Sequence, residues 1–143
     1  MELIIDATNQ IMGRLCTHAA KAALLGTTVN IINCERAVIT GSRTYRQTEM
    51  RTKKELGQPQ QGPFASKMPD RFVRRCVRGM LPHHQPKGRA AFERVMCYIG
   101  TPLELQGKET TRYDDADVAH ATRAKHLTIA QVCEFWGYKG ASQ

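Results

Sequence analysis

No two of the five cysteines, Cys16, Cys34, Cys76, Cys97 and Cys133, form a CxxC pair, and their number is odd. A disulfide framework and a thiolate zinc site both need pairs, so neither is expected. No signal-peptide pattern precedes them, which points to reduced, mostly buried thiols in a cytoplasmic protein. No apolar run approaches the ~20 residues of a bilayer-spanning helix, so no membrane role is expected. The sequence has no GxGxxG after its first strand-like run, no GxxxxGK followed by Ser or Thr, and no G-x-S-x-G elbow. Gly13 stands alone and signals only a turn or a close contact. Internal repeats and low-complexity segments are also absent.

Metal chemistry has little to work with. His83 and His84 are adjacent, which is poor geometry for two ligands of one ion, and His18, His120 and His126 lie elsewhere. Asp114, Asp115 and Asp117 are grouped, but no histidine or glutamate stands at ligand spacing among them, so a helix start or a solvated loop is the better reading. An enzyme on a small α/β scaffold, nucleotide-dependent or RNA-modifying, is the alternative function. Its best nucleophile would be Cys76, among arginines, yet the helical phase of Cys76 turns it toward the core. No metal, no cofactor and no obligate small-molecule ligand are therefore expected.

What is present is positive charge in one place. The chain of 143 residues carries a formal net charge of +8. Residues 43–94 hold 13 of its 21 Lys and Arg but only 4 of its 13 Asp and Glu, a balance of +9 that leaves −1 for everything else. One block of this kind suits a polyanion such as nucleic acid. The length fits about one domain with a real core. Within it we distinguish the basic block 43–94 and a polar C-terminal extension, 103–143.

The stretch 69–102 organises the chain. Wound as a helix, 69–80 puts Phe72, Val73, Cys76, Val77 and Met80 on one face and Arg71, Arg74, Arg75 and Arg78 on the other. Gly79 is placed to end the helix and Pro82 cannot continue it. Pro86 suits the first residue of a helix over 87–94, and 95–99 alternates like a strand. Upstream, Leu3-Ile4-Ile5 and 28–34 are strand-like and flank an alanine-rich helix over 11–25, capped by Thr8 or Asn9 and closed by Gly26. This is a βαβ pattern, which gives parallel strands. A third run, 37–40, precedes a polar helix over 43–56 capped by Ser42. The loop 57–69 is rich in Pro, Gly and Gln, and Phe64 and Met68 are suited to pin it to a surface. A short helix over 128–136, with Thr128 and Gln131 as a capping box, closes the chain. Leu15, Ile31, Phe72, Val77, Val95 and Ile99 are the expected core.

The run Val77-Arg78-Gly79-Met80-Leu81-Pro82, then Gly88-Arg89-Ala90-Ala91, then Tyr98-Ile99-Gly100 resembles the signature of the large-subunit ribosomal protein L13 family. Ile5-Asp6-Ala7, Gly13-Arg14-Leu15, Asn33-Cys34-Glu35, Val38-Ile39-Thr40-Gly41 and Leu127-Thr128-Ile129 are similar to its flanking motifs. The insert 83–87 is closer to the archaeal and eukaryotic branch than to the bacterial one. The resemblance implies a single three-layer α/β/α domain, with a four-stranded parallel sheet between helices; the three early strand-like runs and 95–99 would supply the strands. It implies a structural component of the large ribosomal subunit in the cytoplasm, bound to large-subunit ribosomal RNA beside neighbouring ribosomal proteins. The residues expected to meet RNA are Arg14, Arg43, Arg46, Lys53, Lys54, Lys67, Arg71, Arg74, Arg75, Arg78, His83, His84, Lys87 and Arg89.

Overall fold

In the computed structural model, which describes residues 1–122 and 125–140, strand β1 (Glu2–Asp6) runs parallel to β2 (Thr28–Ile32) with Ile5 opposite Ile31. β2 in turn pairs in parallel with a later strand, β4 (Val95–Cys97), so the sheet order is β1-β2-β4. The crossover from β1 to β2 is helix α1 (Met12–Leu24). Its alanines Ala19, Ala20 and Ala23 are buried and let the helix backbone lie close to the sheet. Gly26, with φ of 96°, closes it, a left-handed conformation that glycine adopts without strain. Thr8 and Asn9 do not cap it: the N-cap is Ile11, without a side-chain bond, and Thr8 is instead bound to Asp6.

The sheet has three parallel strands, not four. β3 (Val38–Thr40) leaves β2 after only residues 33–37. A parallel neighbour needs a crossover of a dozen or more residues. β3 therefore pairs antiparallel with β5 (His126–Thr128), near the end of the chain.

Helix α2 (Arg43–Glu55) begins at Ser42, whose hydroxyl accepts from the Tyr45 amide at 3.3 Å. Helix α3 (Pro69–Met80) runs through Gly79 and stops at Leu81, which is extended. Pro82 imposes that conformation on the residue before it, so the proline rather than the glycine ends the helix. α4 (Pro86–Glu93) starts on its proline, and α5 (Ile129–Glu134) carries the Thr128–Gln131 capping box.

One core joins Ile5, Ile31 and Val95 of the sheet to Leu15, Val73, Val77, Ala91 and Ile129 of four helices. A smaller cluster, Ile4, Ile32 and Leu105 with Tyr98 packed against it, gathers the alternate sheet residues. Of the expected core, Leu15, Ile31, Val77 and Val95 are buried. Phe72 is only partly buried, and Ile99, past the end of β4, is 38 % exposed.

Two of the flanking motifs meet the last run of the signature at the C-terminal edge of the parallel sheet. The Asp6 carboxylate accepts from the Thr8 amide and hydroxyl and, at 2.9 Å, from Asn33 Nδ2. Asn33 has a φ of 55°, which asparagine tolerates better than most residues. Glu35 accepts from the Gly100 amide at 3.0 Å. In open α/β sheets this edge is the usual ligand crevice; here the protein's own side chains fill it.

After Gly107 the chain first runs beside β1, where Thr111 bridges Ile5 in parallel, and then meets α1. Asp115 pairs with His18 at 2.9 Å, and the His18 ring stacks on Tyr113 at 4.0 Å. Asp114–Ala116 and Val118–His120 are single 3₁₀ turns, and Asp117 caps the second. Residues 123–124 and 141–143 of the expected extension lie outside the described residues. Among the described residues no helix is long and apolar enough to cross a membrane.

Candidate nucleic-acid interface

The row on α3 divides once its side chains are followed to their ends. Arg71, Arg75 and Arg78 are exposed and have no hydrogen-bond or ion-pair partner among the described residues. Arg74 does not point outward with them. Its Nε donates to the Val95 carbonyl at 2.9 Å and its guanidinium lies 4.3 Å from the Phe92 ring centre. It ties α3 to β4 and α4, because a long side chain leaving the flank of a helix can reach a neighbouring element. Asp70, the one acid in the row, has its Oδ1 buried, so it does not neutralise the outer face.

The basic residues of α2 divide in the same way. Arg46 donates to the Thr40 carbonyl from Nε at 3.1 Å and from NH2 at 2.6 Å, and it pairs with Glu49 at 2.7 Å. Lys53 reaches the same carboxylate at 2.9 Å. Burial opposes the ionisation of Glu49, but the bonds from Lys53 and Arg46 prevail and hold its carboxyl below the usual range. Two cations share one anion, so the site keeps an excess positive charge. Arg43 lies over the Phe135 ring at 5.5 Å.

Lys53, Lys54, Lys67, Arg71 and Arg75 come together around a cleft between α2, α3 and the 57–68 loop. Among the described residues no acid lines it. Phe72, Leu56, Pro63 and Trp136 form its apolar walls. Trp136 stands edge-on to Phe72, with ring centres 6.5 Å apart, and its Nε1 donates to the Met50 carbonyl at 3.0 Å. Phe64 is 75 % exposed beside it, so that ring does not pin the loop, whereas Met68 is half-buried.

The remaining expected residues lie apart from the cleft. Arg14 donates to the Asp115 carbonyl at 2.6 Å and secures the tail on α1. His83 and His84, with ring centres 4.2 Å apart, form the turn after α3. Arg89 Nε approaches the His83 carbonyl at 3.4 Å, and Lys87 is exposed in the first turn of α4. Cys16 and Cys76 face each other between α1 and α3; that interaction and burial push the Cys16 thiol up, and the same interaction draws the Cys76 thiol down against the effect of burial. The neighbouring Cys97 thiol, together with burial, also raises the Cys34 thiol, which donates to the Ile31 carbonyl at 3.6 Å. Nothing in the sequence marked Trp136 as a cleft wall. Helical spacing over 128–136 puts it on the apolar face with Ile129, Val132 and Cys133, and only the fold brings it opposite the 57–68 loop.

The fold and the cleft define a class: a small α/β protein that gathers its cations around one acid-free cleft. The family model for ribosomal protein L13 matches residues 1–104. The chain belongs to that family. Among its relatives is large ribosomal subunit protein uL13 of Methanosarcina barkeri, 39 % identical over 137 residues, covering 95 % of this chain and 98 % of that one. The protein of the same description from Sulfolobus acidocaldarius is 40 % identical over 140 residues, 94 % of this chain and 93 % of that one. That of Archaeoglobus fulgidus is 36 % identical over 138 residues, 96 % and 88 % of the two chains. These relatives are archaeal, in keeping with the insert at 83–87.

Proposed function

We infer that this chain is a structural constituent of the large ribosomal subunit, working in the cytoplasm, and that it binds and stabilises large-subunit ribosomal RNA. It is not an enzyme: the family is a structural component of the ribosome. The observation that carries the contact is the acid-free gathering of Lys53, Lys54, Lys67, Arg71 and Arg75 around one cleft, with Arg78 exposed further along α3. Each cation that meets a phosphate releases counterions, which supplies affinity without base readout. Arginine's planar fork bridges phosphate oxygens, and A-form RNA is read through its backbone and shape.

The interface we propose runs from this cleft along Arg71, Arg75 and Arg78, over the His83–His84 turn, to Lys87 and Arg89. In the first turn of α4 Pro86 has no N–H and the Gly88 and Arg89 amides bond to the Gln85 carbonyl, which leaves the Lys87 amide, beside its own side chain, to attract phosphate. Arg43 and Lys54 extend it on the α2 side. Arg14, Arg46 and Arg74 are bound within the fold and act on RNA chiefly by holding the elements that carry the others, whereas Lys53, paired with Glu49, and Arg89, bonded to the His83 carbonyl, remain exposed. We propose that the basic block 43–94 is the RNA-facing part of a single domain whose tail, 103–143, braces it, with neighbouring ribosomal proteins alongside. A three-layer arrangement is proposed on the packing of the two faces of the sheet. α1 and α3 cover one face, and the 3₁₀ turn at Leu105 begins the cover of the other.

Sedimentation tests the function. The native protein should travel with the large subunit in a lysate gradient, and footprinting on that particle should protect RNA opposite Arg71, Arg75 and Arg78. A protein that stays at the top of the gradient would overturn the assignment.

A further inference from the structure

The cleft is deeper and more apolar than phosphate binding requires. It encloses about 350 Å³ and opens into an adjoining hollow of about 500 Å³, each within the ~300–1,000 Å³ of small-ligand pockets. A continuous A-form duplex laid across the rim would use the five cations and leave the walls of Phe72, Trp136, Leu56 and Pro63 empty, because its bases are paired and stacked inside. An unstacked nucleotide offers both parts at once: a flat apolar base for the walls and a charged phosphate for the rim. Trp136 is already fixed by its bond to the Met50 carbonyl and its edge contact with Phe72, so little ordering is needed when a ring enters. Aromatic walls beside Arg and Lys are the combination with which proteins hold splayed-out RNA bases. A peptide segment of a neighbouring protein fits less well, because five cations and no lining acid select a polyanion.

We propose that the cleft between Trp136, Phe72 and the 57–68 loop takes one unstacked nucleotide of the RNA, its base against the aromatic walls and its phosphates on Lys53, Arg71 and Arg75. This rests on the RNA-binding function proposed above. Trp136 is the single tryptophan of the chain, so its emission reports on this cleft alone.

The full chain is titrated at low salt with a short single-stranded oligoribonucleotide of mixed sequence and, separately, with a fully paired RNA duplex of the same length. Filter retention reads total binding and Trp136 emission reads the cleft. The single strand should quench Trp136 saturably and the duplex should not. Ala65 is an exposed lining residue, and Ala65→Leu fills the cleft without changing charge. That variant should lose the quench and bind the single strand roughly tenfold more weakly, the worth of about one stacked base. Single strand retained on the filter while Trp136 emission stays unmoved would overturn the nucleotide site and leave the RNA-binding function standing. So would cross-linking, in the intact subunit, of the Trp136 peptide to a neighbouring protein instead of to RNA. Failure to bind either RNA would remove the broader reading together with this one.

Discussion

Gly88 lies in the first turn of α4, directly against the Pro82 carbonyl. A Cβ there would meet the Pro82 carbonyl carbon and oxygen at a separation no real side chain tolerates, and the obstacle is backbone that cannot swing aside. That close approach explains why the motif reads Gly-Arg-Ala-Ala. Gly88→Ala should therefore destabilise the protein by ~1–3 kcal/mol through overpacking, where the same change on an open helix face would stabilise it. A melting temperature equal to or above that of the wild type would refute the close approach. Asp6 is the second decisive residue. Burial opposes its ionisation, but bonds from Asn33 and Thr8 and the charge of Arg112 outweigh it and leave the carboxyl below its ordinary value. A depressed folded pKa contributes stability that is present above the unfolded value of ~3.9 and is lost as pH falls through the folded one. Asp6→Asn should cost ~1–3 kcal/mol at pH 7, since it keeps the shape but not the charged acceptor. The melting curves of variant and wild type should converge in acid below that folded value. An offset that stays constant down to acid would show that the Asp6 charge contributes nothing.

At the scale of elements, α3 has two kinds of arginine. Arg74→Gln removes a charged donor from the Val95 carbonyl and a cation from the Phe92 face, and should cost ~1.5–3 kcal/mol of stability. Arg78→Gln changes an exposed side chain that has no partner among the described residues, and should stay within about 0.5 kcal/mol. Equal melting points for the two variants would mean that Arg74 does not brace β4. The bounds of α3 were legible in the sequence because Pro69 and Pro82 fix them chemically, and the burial of Val73 and Val77 followed from helical spacing. The direction of Arg74 was not legible: a helical wheel gives the azimuth of a Cβ, and a guanidinium ends far from its Cβ. The third strand shows the same limit. Val38-Ile39-Thr40 is strand-like by composition, but its partner is set by what can reach it. The expectation of four parallel strands includes this run, but the link 33–37 is too short for a parallel crossover from β2, and nothing local pointed to β5 nearly ninety residues on. The cleft was half legible. Its cations stood out as one block, while its Trp136 wall depends on α5 folding back to α2.

At the scale of the molecule, the family match covers 1–104, yet the cleft is completed by Trp136 from beyond that limit. The tail is anchored where this matters: β5 pairs with β3, Ile129 and Cys133 enter the main core, and Trp136 bonds to the Met50 carbonyl. The excess charge of the whole chain then falls within one block of its sequence. Outside 43–94 the balance is −1, so neutralised phosphates should come almost entirely from that block. This predicts a steep fall of RNA affinity with salt, with the slope of log K against log salt set by the number of phosphates neutralised. Replacing Arg71, Arg75 and Arg78 together by Gln should flatten that slope by roughly one unit for each phosphate no longer neutralised. The fold should remain, because none of the three has a partner among the described residues. Lys21 is also exposed but lies on α1 outside the block, so Lys21→Gln should leave the slope unchanged. Affinity measured for all three proteins at several salt concentrations decides the matter. Equal slopes for the triple variant and the wild type would mean that the outer face of α3 is not where the phosphates lie. A drop in Lys21→Gln as large as that expected from a single α3 arginine would mean that the field of the whole molecule, rather than this surface, holds the RNA.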